Sequence, residues 1–134
     1  MSATEKEGRD LRVMLIEDSP LLCEMLSEML GELDGVQVVA RAADEHAAIE
    51  ALAVHRPDLA VIDIELKDGS GIGVLQALHD DPQRFGRPRA VVFSNHGHRI
   101  VRRRCTELGV EHFFDKSYQL DDLVDYVQSS RTPG

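Results

Sequence analysis

The sequence predicts an α/β fold, a doubly wound sheet of five parallel strands with five helices, and three observations lead there. Short runs rich in β-branched, aliphatic and aromatic residues recur at Leu11–Ile16, Val36–Ala40, Leu59–Ile62, Ala90–Phe93 and Glu111–Phe114. Helix-period segments alternate strictly with them, the pattern of a parallel sheet covered on both faces. Four of the runs end in charged or hydroxyl side chains, at Glu17-Asp18, Asp63, Ser94 and Lys116. In an open parallel sheet the carboxyl ends of the strands line one edge, so these residues are expected to meet there.

The elements follow in order. After the first strand, Ser19 offers an N-cap and Pro20 sits at the first helical position. Leu22, Leu26, Met29, Leu30 and Leu33 form the apolar stripe of that helix, and Gly35 is expected to end it. Asp44 caps the second helix, whose Ala47, Ala48, Ala51 and Leu52 are predicted to face the sheet; Pro57 prevents its continuation. The third strand leads into the turn-forming loop Lys67-Asp68-Gly69-Ser70-Gly71, then a short helix over Ile72–Leu78 that stops near Asp81-Pro82. The fourth helix is predicted to carry Ile100, Val101, Cys105 and Leu108 on one side and to end at Gly109. The last spans Leu120–Val127. The second and fifth strands are the more polar and are placed at the edges. Residues 1–10 and 129–134 read as flexible tails flanking one domain, 11–128.

A chain of 134 residues is the length of one domain and can bury about two thirds of the surface its unfolded form exposes. Aromatic residues are 4% and Trp is absent, so aliphatic side chains must fill the core. A formal charge of −9 argues against unaided binding to nucleic acid or an anionic membrane. No stretch approaches the roughly 20 apolar residues of a membrane span, and the polar start, Met1 to Asp10, lacks an apolar signal core. The expected location is the cytoplasm. Cys23 and Cys105 have neither metal-site spacing nor disulfide-scaffold density, and both are expected as buried reduced thiols on helix faces.

Three carboxylates, a hydroxyl and an ammonium gathered at one edge fit a hydrated divalent cation and a phosphoryl group. With Leu15-Ile16-Glu17-Asp18-Ser19-Pro20, Val61-Ile62-Asp63-Ile64, Asp68-Gly69-Ser70-Gly71, Val92-Phe93-Ser94 and Phe113-Phe114-Asp115-Lys116 in register, the chain resembles the receiver domain of bacterial two-component response regulators over roughly residues 11–128. The resemblance implies a flavodoxin-like strand order, 2-1-3-4-5. It also implies that Asp63 accepts the phosphoryl group, forming a labile acyl phosphate suited to a resettable signal. Asp18 would bind Mg2+ directly and Glu17 through water, with Asp63 and the backbone carbonyl of Glu65 completing the protein ligands. Lys116 would pair with a phosphoryl oxygen and, before phosphorylation, with Asp63; Ser94 would donate to another oxygen. Ser94 and Phe113 would form the switch, although Phe113 reads equally well as a plain core or edge aromatic. Glu65 and His96 stand where family members tune the lifetime of the phosphate.

Two positions depart from the family pattern. Glu17 stands where Asp is common. Ser117 follows Lys116 where the family commonly has Pro and a cis peptide. A non-proline cis bond costs roughly 3–4 kcal/mol, so either the fold carries that strain or the bond is trans and Lys116 enters the site differently. His96 and His98 lack a third ligand at metal-site spacing and read as exposed loop residues. Arg99, Arg102, Arg103 and Arg104 form a basic patch on the fourth helix, either a solvated face or the place where a partner reads the state.

The implied partners are a sensor histidine kinase or phosphotransfer protein and a downstream protein target, with a phosphorylation-dependent homodimer as a further option. Neither nucleic acid nor membrane is expected to bind directly. No output domain fits after residue 128. Two alternatives remain at this level: a haloacid-dehalogenase-type phosphatase, which shares the strand-end Asp, Ser, Lys and magnesium, and a degenerate receiver acting by protein binding alone. The position of the acidic pair before Asp63 weighs against the first, and the intact set of Asp18, Asp63, Ser94 and Lys116 against the second.

Overall fold

The structure, a computed structural model, describes residues 10–95 and 97–131. His96, residues 1–9 and residues 132–134 lie outside them, and with them most of the two segments read as tails. Five parallel strands, β1 (Leu11–Ile16), β2 (Val36–Ala42), β3 (Leu59–Ile62), β4 (Arg89–Ser94) and β5 (His112–Asp115), form one sheet in the order β2-β1-β3-β4-β5. The expected strand order and the two edge strands are therefore correct. Five helices join or follow the strands: α1 (Pro20–Gly31), α2 (Glu45–His55), α3 (Gly71–Asp80), α4 (Arg99–Glu107) and α5 (Leu120–Ser130).

Alternation along the strands divides the core into two layers. Met14, Ile16, Ala60, Ile62 and Val92 face α2, α3 and α4, where they pack with Ala48, Leu52, Val74, Leu75, Phe85 and Cys105. Val13, Leu15, Val61, Val91 and Phe93 face α1 and α5, against Leu26, Leu30, Leu123 and Val127. Full burial of one such aliphatic side chain contributes about 1.5–3 kcal/mol, and many of these are completely inaccessible.

Two helix starts follow the caps read from sequence: Ser19 Oγ accepts from Leu22 N at 3.2 Å and Asp44 Oδ1 from Ala47 N at 2.7 Å. A third cap, read from sequence only as part of a turn, is Ser70, whose Oγ accepts from Ile72 N at 3.0 Å. The ends differ more. α1 stops at Gly31, and Gly35 instead makes the left-handed turn (φ 77°) into β2. α2 closes on Arg56, itself left-handed at φ 46°. α5 continues to Ser130, so Ser129 and Ser130 are helical rather than the start of a tail. A 3-10 turn at Pro82–Phe85, with no counterpart in the sequence reading, inserts Phe85 into the core at 1% exposure.

Two side chains assigned inward face out. Ile100 is 78% exposed. The buried stripe of α4 follows Cys105 with Val101 packed beside it, and Ile100 is rotated about 100° from Val101. Ala47 is exposed for the same reason, one position before the Ala48–Leu52 stripe that meets the sheet. Cys23 and Cys105 are both buried and unpaired as disulfides, and burial raises both thiol pKa values.

Candidate functional site

Register assembles the site. Ile16 pairs with Ile62 across β1 and β3, so Glu17 and Asp63 leave the sheet side by side. Asp63 N donates to Ile16 O at 2.9 Å and Glu17 N to Ala42 O at 2.9 Å, which continues the ladder past the strand ends. Ser94 pairs with Asp115, and Lys116 N donates to Ser94 O at 3.1 Å. Among the described residues the buried polar or charged side chains are Glu17, Asp63 and Ser94, all three at this edge. Burying such groups is costly unless each is paired.

Lys116 supplies the pairing. Its Nζ lies 2.8 Å from Glu17 Oε1 and 2.9 Å from Asp63 Oδ2, joining the two carboxylates through one ammonium. Their remaining oxygens are also held: Glu17 Oε2 accepts from Ser19 N at 2.9 Å and Asp63 Oδ1 from Glu65 N at 3.3 Å. Glu17, Asp18 and Asp63 place carboxylate oxygens within 4.8 Å of one another. Hard oxygen donors in that number suit Mg2+, which keeps several waters and takes few protein ligands. Asp18 is the more accessible member and lines an open pocket of about 310 Å³ with Pro20, Cys23, Glu24 and Arg41.

Two carboxylates share one ammonium in a buried setting, and burial is the largest single influence on both Glu17 and Lys116. Burial, reinforced by the charge of Asp63, pushes the Glu17 carboxyl above its ordinary value against the opposing pull of Lys116 and the Ser19 amide. For Lys116, burial alone would lower the pKa; hydrogen bonds to Glu17 and Asp63 and their charges outweigh it and raise it. A raised folded-state pKa means the folded chain binds the Glu17 proton more tightly than the unfolded chain does. Stability from this group is then full below the ordinary carboxyl value of 4.5 and declines as pH rises through the folded value. Glu17→Gln is accordingly expected to be more stable than the natural chain at pH 7 and to lose that advantage below pH 4.5. Urea unfolding midpoints across that range measure it, and a variant less stable at pH 7 would refute it.

The peptide between Lys116 and Ser117 is trans, as are all described peptides. Asp115 organises the turn: its Oδ1 accepts from Ser117 N at 2.7 Å, its carbonyl accepts from Gln119 N at 2.8 Å, and its own N donates to Gln119 Oε1 at 2.8 Å. A proline at 117 would lack the N–H that Asp115 binds. Lys116 reaches the carboxylates from this trans turn, so the departure from proline leaves the ammonium in place.

The other candidates are dispersed. Glu65 is exposed, and its backbone N–H, as described, donates to Asp63. Phe113 is half-buried at the edge of the core, with the Arg102 guanidinium 4.3 Å over its ring. His98 is exposed and begins α4 without a side-chain cap; His96 lies outside the described residues. Arg104 is engaged by Glu107 and Gln76, whereas Arg99 and Arg103 are exposed. The sequence reading missed the Glu17–Lys116 pair and the Arg102–Phe113 contact. Neither has a signal in spacing, because each joins separate elements.

A family model described as "Response regulator receiver domain" matches residues 13–128. A protein-glutamate methylesterase/protein-glutamine glutaminase of Desulfotalea psychrophila is 30% identical over 81% of the chain, which spans 29% of that protein. The transcriptional regulatory protein PdtaR of Mycobacterium tuberculosis is 28% identical over 87% of the chain, which spans 55% of it. The response regulator domain of Thermotoga maritima CheB superposes with a TM-score of 0.80 at 21% identity, covering 92% of this chain and 97% of that one, and supports the fold alone. The phosphorylated phytochrome response regulator RcpA, described as cyanobacterial, superposes at 0.73 with 25% identity, covering 90% of each chain. Among the described residues no helix is long and apolar enough to cross a membrane.

Proposed function

The chain belongs to the response regulator receiver family, a phosphorylation-dependent signalling module, and from that premise we propose that Asp63 accepts the phosphoryl group. The observation that carries this reading is the buried pair of carboxylates on one ammonium, beside a third, accessible carboxylate. Asp63 is a strand-end nucleophile held at both oxygens, by Lys116 and by the Glu65 amide, and so oriented before any donor arrives. A carboxylate oxygen attacks the phosphorus of a phosphohistidine. The P–N bond breaks, its electron pair stays on the imidazole nitrogen, and an acyl phosphate forms. Hydrolysis of that acyl phosphate returns inorganic phosphate and the free carboxylate.

Lys116 already sits against Asp63 and moves its hydrogen bond to an incoming phosphoryl oxygen, while the Ser94 hydroxyl serves another. Glu17, Asp18 and Asp63, with the Glu65 carbonyl, would hold Mg2+, which when bound neutralises charge on the transferring group. Glu65 and His96 tune the lifetime of the phosphate. Ser94 and Phe113 carry the change outward, and release of Phe113 from Arg102 links it to α4. The donor is a histidine kinase or phosphotransfer protein. A protein target docks on the face of α4, β5 and α5, where Arg99 and Arg103 give it positive charge in an acidic chain, and self-association on phosphorylation uses the same state. The cytoplasm suits such a module. Family membership disfavours the phosphatase alternative, and the complete charged set disfavours a receiver that never takes phosphate.

The test is incubation with a small phosphodonor and Mg2+ followed by intact mass. One phosphoryl group is expected on the natural chain and none on Asp63→Asn. Modification that persists in the variant would remove Asp63 from the role.

A further inference from the structure

We propose that Glu45, at the start of α2, is a positioning residue for the phosphorylation site, acting through the loop between β3 and α3. The inference rests on the reading of Asp63 given above. The carboxylate crosses from α2 to that loop, where its Oε1 accepts from Ser70 N at 2.9 Å. The space it fills exists because glycines stand at 69 in the loop and at 73 in the first turn of α3. A Cβ on Gly73 would lie 2.3 Å from the Glu45 carboxyl carbon, and one on Gly69 would lie 2.5 Å from Glu45 Cβ. Gly69 is also left-handed at φ 79°. Backbone bonds flank the contact: Glu45 N donates to Asp68 O at 2.9 Å, and Lys67 N to Ala43 O at 3.2 Å. Ala43 and Glu45 thus grip the loop at three points.

From Ser70 the restraint runs to the reacting group. Ser70 forms an antiparallel bridge with Glu65. Its Oγ donates to Ile64 O at 3.3 Å, and Gly71 N donates to the same carbonyl at 2.8 Å. The Glu65 N–H donates to Asp63 Oδ1, and a Cβ on Gly71 would lie 2.1 Å from Asp63 O, so the loop's far end is packed directly on the strand end. Displacing Ser70 therefore shifts Glu65, both as donor to Asp63 and as the carbonyl proposed for Mg2+. Glu45 touches neither reactant nor cation. What it supplies is an acceptor for a part-buried amide, a role that a neutral carbonyl at the same reach can also fill.

The test uses Glu45→Ala, which removes the acceptor, and Glu45→Gln, which keeps a carbonyl at the same reach. Three quantities are measured for each: the rate of phosphoryl addition by a small phosphodonor, the Mg2+ dissociation constant of the unphosphorylated chain, and the Ser70 amide proton shift. Loss of a group that holds a metal ligand directly costs about 10–100-fold, and Glu45 acts one residue further out, so the low end, about tenfold, applies. Glu45→Ala is expected to weaken Mg2+ binding and slow phosphorylation by about that factor, with an upfield move of the Ser70 amide. Glu45→Gln is expected to stay within about twofold of the natural chain in both. Natural rates and Mg2+ affinity in Glu45→Ala would overturn the inference, and so would equal defects in both variants. If the natural chain takes no phosphate, the reading of Asp63 fails instead, and the Mg2+ affinity and amide shift still decide the role of Glu45.

Discussion

Lys116→Ala is expected to lower stability at pH 7 by about 3 kcal/mol, the low end for removing one partner of a buried ion pair. The ammonium is the shared partner of Glu17 and Asp63, whose side chains are 3% and 4% exposed. Without it two charges face each other with little water to solvate them. The low end applies because the lysine side chain itself is 15% exposed, so water enters more readily once it is gone. The loss should shrink as pH falls and the Glu17 carboxyl, raised by burial, protonates, and shrink again in Lys116→Ala/Glu17→Gln, where one of the two charges is absent. Mg2+, binding the folded chain and its carboxylates, should restore part of it. Urea unfolding of the single and double variants, at pH 7 and pH 5 and with and without Mg2+, measures all of these. A single variant as stable as the natural chain at pH 7 would show that the pairing contributes nothing.

Phe85→Ala should be more damaging still, by about 4 kcal/mol, since truncating a buried phenylalanine combines lost transfer energy with a residual cavity. Phe85 is 1% exposed and belongs to the layer formed with α2, α3 and α4. It is delivered there by the Pro82–Phe85 turn, which Gly86 closes at φ 77° and to which Arg56 Nη2 bonds through Gln83 O at 3.3 Å. The neighbours are strand and helix residues fixed by their own packing, so the site has little freedom to collapse. A urea midpoint shift equivalent to less than about 1 kcal/mol would mean that the layer closes over the gap. The variant should still accept phosphate where it is folded, because the turn lies at the opposite edge of the sheet from Asp63.

Phe85 also shows where sequence reasoning stops. Asp81-Pro82 reads as a helix stop, and correctly so, but nothing in the next few residues has enough length or period to announce a turn that anchors the core. Ile100 is the converse. Its apolar character suggested the buried side of α4, whereas the helix buries Val101 and Cys105 and leaves Ile100 in solvent. One residue of phase decides that, and a helix of Arg99–Glu107 is too short for the period to settle it.

At the candidate site, the identities of Glu17, Asp18, Asp63, Ser94 and Lys116 were legible because a parallel sheet gathers its strand ends. Their partners were not. Lys116 was expected on Asp63 and is found on Glu17 as well. The absence of proline after Lys116 left two backbone geometries open; the bond is trans, and the Asp115 carboxylate accepts from the Ser117 N–H in that turn.

The alternation of strands and helices, the caps at Ser19 and Asp44 and the set of polar strand endings were legible along the chain. Each of these is written in local period or in a residue's own conformational preference. Three contacts needed the folded chain: one ammonium serving two carboxylates, Arg102 covering Phe113, and Glu45 gripping the loop behind Asp63. Those contacts join residues far apart in the chain, and they depend on strand register and on which glycines leave room. Periodicity constrains neither.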